Sequence, residues 1–239
     1  PDRERPGRLV LIMFDNEALL TQPVFYLFVA FSALITLGFF WGRKMNRRIF
    51  NDAFQDLVDT VKPEDQTFTA IGGVVGYHAN LLIGRKGPVS RVDGTITLLP
   101  RQSWLYMPIS KIIMRHDRLF ITVYLRLDIP GEGHLIEKRY AAFRGPKITN
   151  AAKLEKEALR WGKLDFYLYY DNLKIRERFL GHVSDHPDPG TVRHIALIPG
   201  ERKGFVFMIP KRGRVGAMFR PVYEMMASLA ASQKKGKRS

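Results

Sequence analysis

Apolar and polar positions along this chain fall into two regimes. The first is a single uncharged run over residues 23–41, PVFYLFVAFSALITLGFFW. A membrane-crossing helix needs about 20 mostly apolar residues. Phe25, Tyr26, Phe39, Phe40 and Trp41 put aromatic rings near both ends of the run, where the two bilayer interfaces favour them. A cleaved signal peptide has a shorter apolar region, with a basic stretch before it and small residues after it. Here Asp15 and Glu17 precede the run and GRKMNRR follows it. The pattern therefore predicts a retained anchor. Arg43, Lys44, Arg47 and Arg48 would hold its C-terminal side in the cytoplasm, leaving residues 1–22 as a short extracytoplasmic segment. The stretch LVLIMF at 9–14 is too short to cross a bilayer.

The second regime is a soluble-type alternation. Ile49, Phe50, Ala53, Leu57 and Val61 recur at three- and four-residue spacing before Pro63, which predicts a juxtamembrane helix within 42–62 that continues the anchor. Strand patterns follow at 74–83 and 94–99, on either side of the basic turn in LIGRKGPVS, then at 119–125 and 164–170. Residues 192–198 and 204–209 read as a hairpin across PGERK. Pro108 divides 102–114, which leaves a short helix or an irregular edge. The composition of NAAKLEKEAL predicts a helix over 148–161, capped by Asn150. The stretch DHPDPG at 185–190 reads as a loop. Met218, Val222, Met225 and Leu229, widened by Phe219, Tyr223, Met226 and Ala230, predict an amphipathic helix over 214–232 that packs on the sheet of its own domain. A methionine-rich partner groove or a membrane-surface helix is the alternative for that face. The fold class expected is α+β: one N-terminal transmembrane helix, then a cytoplasmic domain over 63–232 of mixed sheet with packed helices, and a disordered basic tail at 233–239.

Composition adds two constraints. With 239 residues and 46% apolar content the chain can bury a sizeable core, and with no cysteine it has neither disulfides nor thiolate chemistry. The formal net charge of +15 favours acidic partners such as nucleic acid or an anionic membrane face.

The candidate motifs are weaker than they look. Gly84 and Gly87 around Arg85 and Lys86 have the spacing of the clamp loop in KH-type RNA-binding domains. That clamp must open a helix, whereas Asp93-Gly94 here is a hairpin-type signal and TITL beyond it alternates like a strand, so a plain basic turn is expected. His182 and His186, with Asp185, Asp188 and His194 nearby, resemble metal-ligand spacing, but Pro187, Pro189 and Gly190 argue for a loop rather than the helix such a pair needs. The glycines at 72, 73 and 76 enter a strand without the strand–turn–helix context of a dinucleotide loop. No catalytic constellation assembles, so the expectation is a non-enzyme with no cofactor, metal or small-molecule substrate.

The positive charge is clustered. The juxtamembrane group sets topology and meets lipid phosphates, at about 1 kcal/mol per residue near an anionic surface. Further groups are Arg85, Lys86 and Arg91, then Arg101, Lys111/Arg115/Arg118, Arg202/Lys203, and Lys211/Arg212 with Arg214; Lys234 and Lys235 lie in the tail. Of these, Arg85, Lys86, Arg91, Arg101, Lys211, Arg212, Lys234 and Lys235 are the candidate contacts to ribosomal RNA or lipid headgroups, where affinity comes from phosphate neutralisation.

Three stretches, taken in order, resemble the calumin family, single-pass endoplasmic-reticulum subunits of the PAT intramembrane-chaperone complex. They are FFWGRKMN at 39–46, Gly84-Arg85 followed by GTITLLPRQ at 94–102, and the late strands leading into VYEMM at 222–226 with a basic end. The resemblance spans 37–239. It implies an anchored accessory factor for membrane-protein insertion or folding, with the ribosome and other insertion subunits as partners. Two departures are visible: the family has a long acidic lumenal part and a long basic coiled-coil tail, and only short segments stand in those places here. The alternative function is a membrane-tethered PH-like domain that binds anionic lipid headgroups through its basic turns.

Overall fold

The computed structural model describes residues 22–143 and 145–236. The stretch at 9–14 and the last residues of the basic tail lie outside the described residues. Helix α1 runs unbroken from Pro23 to Val61, with Pro23 in the first turn, where its missing N–H costs nothing. It stops at Lys62, which takes the left-handed conformation and donates its N–H to the Val58 carbonyl at 2.8 Å.

The helix changes character along its length. Up to Trp41 its large side chains are exposed and Gly38 is the buried position. From Gly42 onward one stripe is buried: Gly42, Asn46, Ile49, Ala53, Phe54, Leu57 and Val61. That stripe packs on a nine-stranded sheet in which every neighbouring pair is antiparallel. Its strands are β1 (Asp65–Ala70), β2 (Gly76–Leu82), β3 (Val89–Thr97), β4 (Arg118–Leu125), β5 (Gly133–Glu137), β6 (Glu155–Trp161), β7 (Leu164–Tyr170), β8 (Val192–Ile198) and β9 (Lys203–Met208). Their spatial order is β1-β2-β3-β4-β9-β8-β5-β7-β6.

Among the described residues there are four shorter α-helices: α2 (Met107–Met114), α3 (Lys138–Phe143), α4 (Leu173–Asp185) and α5 (Val215–Gly236). Three helices cover one face of the sheet. Phe50 and Phe54 of α1 stack on Tyr77 and Phe68 with ring centroids 3.9 and 5.7 Å apart. Met226 of α5 lies against Gly204, and Ile175 and Phe179 of α4 close on Gly133. Alternation builds this face. In β4, Leu119, Ile121, Val123 and Leu125 are buried, while Arg118, Phe120, Thr122 and Tyr124 point the other way. Each fully buried aliphatic or aromatic side chain contributes about 1.5–3 kcal/mol relative to exposure. The opposite face is aromatic and basic: Arg91 lies 3.9 Å over the Tyr124 ring and Lys156 lies 3.8 Å over Tyr167.

The α+β class is as expected, but the sheet is wholly antiparallel rather than mixed. Four further expectations are corrected. Residues 155–161 form β6, not a helix: all seven pair with β7, and Glu157, Leu159 and Trp161 alternate with Lys156, Ala158 and Arg160. Only the short turn at Ala151–Lys153 is helical. Asp93-Gly94 is not a turn but the middle of β3, where Gly94 lets Leu57 approach the strand. His182 lies on α4, not in a loop; Asn172 caps that helix by accepting the Ile175 N–H at 3.0 Å. Finally, α5 extends through 233–236, taking in backbone expected in the disordered tail.

Candidate functional site: an apolar end and a distal basic turn

The middle and the C-terminal end of α1 define two surfaces. At the first, Gly38 receives the Trp104 indole and Gly42 receives the backbone of Arg101 and Gln102; a side chain at either glycine would collide with them. One helical turn later, Asn46 is fully buried. Its amide donates to the carbonyls of Leu99 at 2.9 Å and Val74 at 3.2 Å, and its oxygen accepts from Arg101 at 3.0 Å. Arg101 in turn forms a bidentate pair with Asp117 at 2.9 and 2.7 Å, and Asp117 also accepts the Leu99 N–H. Arg101 is therefore a clasp between α1 and the sheet, with its side chain only 12% exposed. It cannot serve as the phosphate contact expected of it.

Around this clasp lie exposed apolar side chains from the segment that leads into α2 and from α2 itself, among them Leu105, Ile109, Ile112 and Ile113. A cleft of about 580 Å³ opens between this segment and α1, lined by Trp41, Met45, Leu99, Trp104, Pro108 and Lys111 among others. The surrounding charge is positive. Arg43, Lys44, Arg47 and Arg48 are exposed on α1, and Lys111 and Arg115 on or beside α2. Beyond α2 the fringe continues as a second cleft of about 350 Å³ lined by Arg115, Arg118, Arg139 and Arg193. Of these, Arg193 is held by Glu137 at 3.2 Å.

The second surface is at the C-terminal end of α1. The Glu64 N–H donates to the Leu82 carbonyl, and Gly84 abuts the Glu64 carboxylate, so the turn carrying Arg85 and Lys86 sits beside the helix C-terminus. Both basic side chains are exposed and form no ion pair among the described residues. At 1.5 Å per residue, Val61 stands about 30 Å along the helix from Trp41. The turn is held from behind by Arg126, which donates to the carbonyls of Ile83 at 3.1 Å and Gly84 at 2.9 Å. Arg126 is not legible as a support from sequence, because it comes from a different hairpin. Arg91, grouped with Arg85 and Lys86 in the sequence, lies instead on the open sheet face between Asp93 and the Tyr124 ring.

Arg212 pairs with Asp52 of α1 at 2.5 Å, and Lys211 beside it is exposed. Lys234 and Lys235 lie on the last turn of α5.

Among the described residues no group of three or more histidine, aspartate or glutamate side chains converges on a metal position. His182 is buried against Trp161, and desolvation with the neighbouring His186 pushes its pKa down to about 4. His194 is buried deeper, stacked on His134 with ring centroids 5.6 Å apart, and desolvation pushes its pKa down to about 3. Both are neutral core imidazoles at physiological pH. In comparison with known proteins, the chain matches no family model and no curated protein.

Proposed function

We propose that the protein is a membrane-anchored, non-enzymatic accessory factor for membrane-protein insertion or folding. In this reading α1 crosses the bilayer over residues 23–41, and the sheet domain stands on the cytoplasmic surface. The Arg85/Lys86 turn then meets a phosphate-rich partner such as ribosomal RNA. The α1 helix is long and apolar enough to cross a membrane. The observation that carries the reading is the separation of the apolar end from the basic turn along one unbroken helix. A domain reading headgroups through that turn would have to lay it on the bilayer. The turn instead stands about 30 Å along α1 from Trp41, several times the screening length of about 8 Å at physiological salt. Headgroup contact falls to Arg43, Lys44, Arg47 and Arg48, and the distal turn is left for a partner above the membrane.

The test is the charge reversal Arg85→Glu with Lys86→Glu in the full chain. Both side chains are exposed, so the fold is expected to survive. Each phosphate that is no longer neutralised should remove about one ion from the salt dependence of binding. Co-sedimentation with ribosomes should weaken, with a salt slope shallower by about two ions, while association with anionic vesicles stays unchanged. Unchanged ribosome binding, or a loss on vesicles alone, contradicts the proposal.

A further inference from the structure

The helix α2 has its polarity inverted for a water-facing element. A surface helix of a soluble domain buries its apolar stripe. Here the buried residue of α2 is Ser110, while Ile109, Ile112 and Ile113 are 51%, 77% and 54% exposed. With Leu105 at 72% exposure these residues fall at i, i+4, i+7 and i+8, one continuous face directed away from the domain. The position of this face is set by α1. Trp104, directly before Leu105, packs on Gly38, three residues short of the end of the uncharged run, and Arg101 packs on Gly42, where the cationic flank begins.

We propose that residues 104–113 form a second membrane contact. In this arrangement α2 lies in the headgroup–acyl boundary of the leaflet in which the α1 span ends, with the Leu105/Ile109/Ile112/Ile113 face in hydrocarbon. Trp104 and Tyr106 sit at the depth that aromatic belts favour, and Lys111 extends to the phosphates, as long cationic side chains at an interface do. The cleft between α1 and α2 admits lipid acyl chain. An amphipathic helix with an apolar face and a basic fringe binds anionic bilayers in this way. A second copy of the chain is a poor occupant for the same face, because its fringe of Arg43, Lys44, Arg47, Lys111 and Arg115 would meet its own like charges. The inference rests on the reading of 23–41 as a span.

The absence of cysteine makes the test direct. Single cysteines placed at Leu105, Ile109, Ile112 and Ile113, at Ala33 in the span and at Lys86 in the distal turn are labelled with an environment-sensitive fluorophore. The full chain is then reconstituted in phosphatidylcholine vesicles containing phosphatidylglycerol, with and without doxyl-labelled lipid. Labels at 105, 109, 112 and 113 should be quenched to roughly half or more of the extent seen at Ala33, with blue-shifted emission, while the Lys86 label is unaffected. All four replaced side chains are exposed, so the variants keep the core. Quenching at Ala33 with α2 labels that behave like Lys86 overturns the inference and leaves the span intact. Blue-shifted but unquenched α2 labels overturn it in favour of a protein partner. An unquenched Ala33 label removes the span reading itself, and the inference with it.

Discussion

Two buried polar residues show how burial decides what a side chain can do. Asn46 has no exposure, yet its amide group is occupied by Leu99, Val74 and Arg101, so its desolvation is offset. His194 has no such compensation. Among the described residues neither ring nitrogen finds a hydrogen-bond partner, and the imidazole is held neutral among His134, Phe205 and Tyr140, while Glu132 is engaged by His134 and Asn150. Its folded pKa of about 3 lies below the ordinary value of 6.5. Above 6.5 both folded and unfolded chains carry the neutral ring and stability does not depend on this group. Below 6.5 the unfolded chain takes up a proton that the folded chain refuses, so stability falls with pH down to about 3. Denaturant titrations of the full chain between pH 7 and 4.5 should show this loss. His194→Phe should make the dependence shallower by about 1.4 kcal/mol per pH unit, the remaining slope coming from groups such as His182 and His134. An unaltered slope would mean that His194 is not buried neutral. Sequence alone shows which residues carry charge but not what they touch. Arg101 and Arg85 look alike as basic residues along the chain, yet one is locked on Asp117 and the other is free of ion pairs among the described residues.

At the scale of elements, the legible ones are those whose pattern serves a single buried face. The second half of α1, β4, β7, the β8–β9 hairpin and α5 all follow from periodicity. Elements that depart from their local pattern are decided by partners distant in sequence. β6 has a helix-former composition, but its pairing along the whole length of β7 at the sheet edge outweighs propensity. α2 is ambiguous from sequence because its apolar spacing has no domain core to face. Gly94 reads as a turn because the dipeptide signal takes no account of a helix crossing above. An added Cβ at Gly94 would lie 3.1 Å from the Leu57 side chain and 3.5 Å from the Phe54 ring. Gly94→Val, although favourable for an isolated strand, should therefore lift α1 off the sheet and destabilise the domain by about 1–3 kcal/mol. Thermal unfolding of the full chain in detergent measures this; an unchanged or raised midpoint would show that α1 packs on β3 more loosely than these distances imply.

For the whole molecule, one helix serves two environments. Its first half is an uncharged apolar rod, and its second half is a core element of a nine-stranded sheet, joined to it through the Gly38, Gly42 and Asn46 contacts. This continuity ties the orientation of the domain to that of the apolar half, and it puts Arg43, Lys44, Arg47 and Arg48 and the Arg85/Lys86 turn at opposite ends of the packed half. The central claim is thus a difference in height above the bilayer. It is tested most directly by energy transfer in nanodiscs from a donor on a single cysteine at Arg48 or at Lys86 to acceptor-labelled lipid headgroups, using a pair whose transfer range is short beside about 30 Å. The account predicts strong transfer from position 48 and weak transfer from position 86. Equal transfer from the two positions would lay the basic turn on the membrane and contradict it.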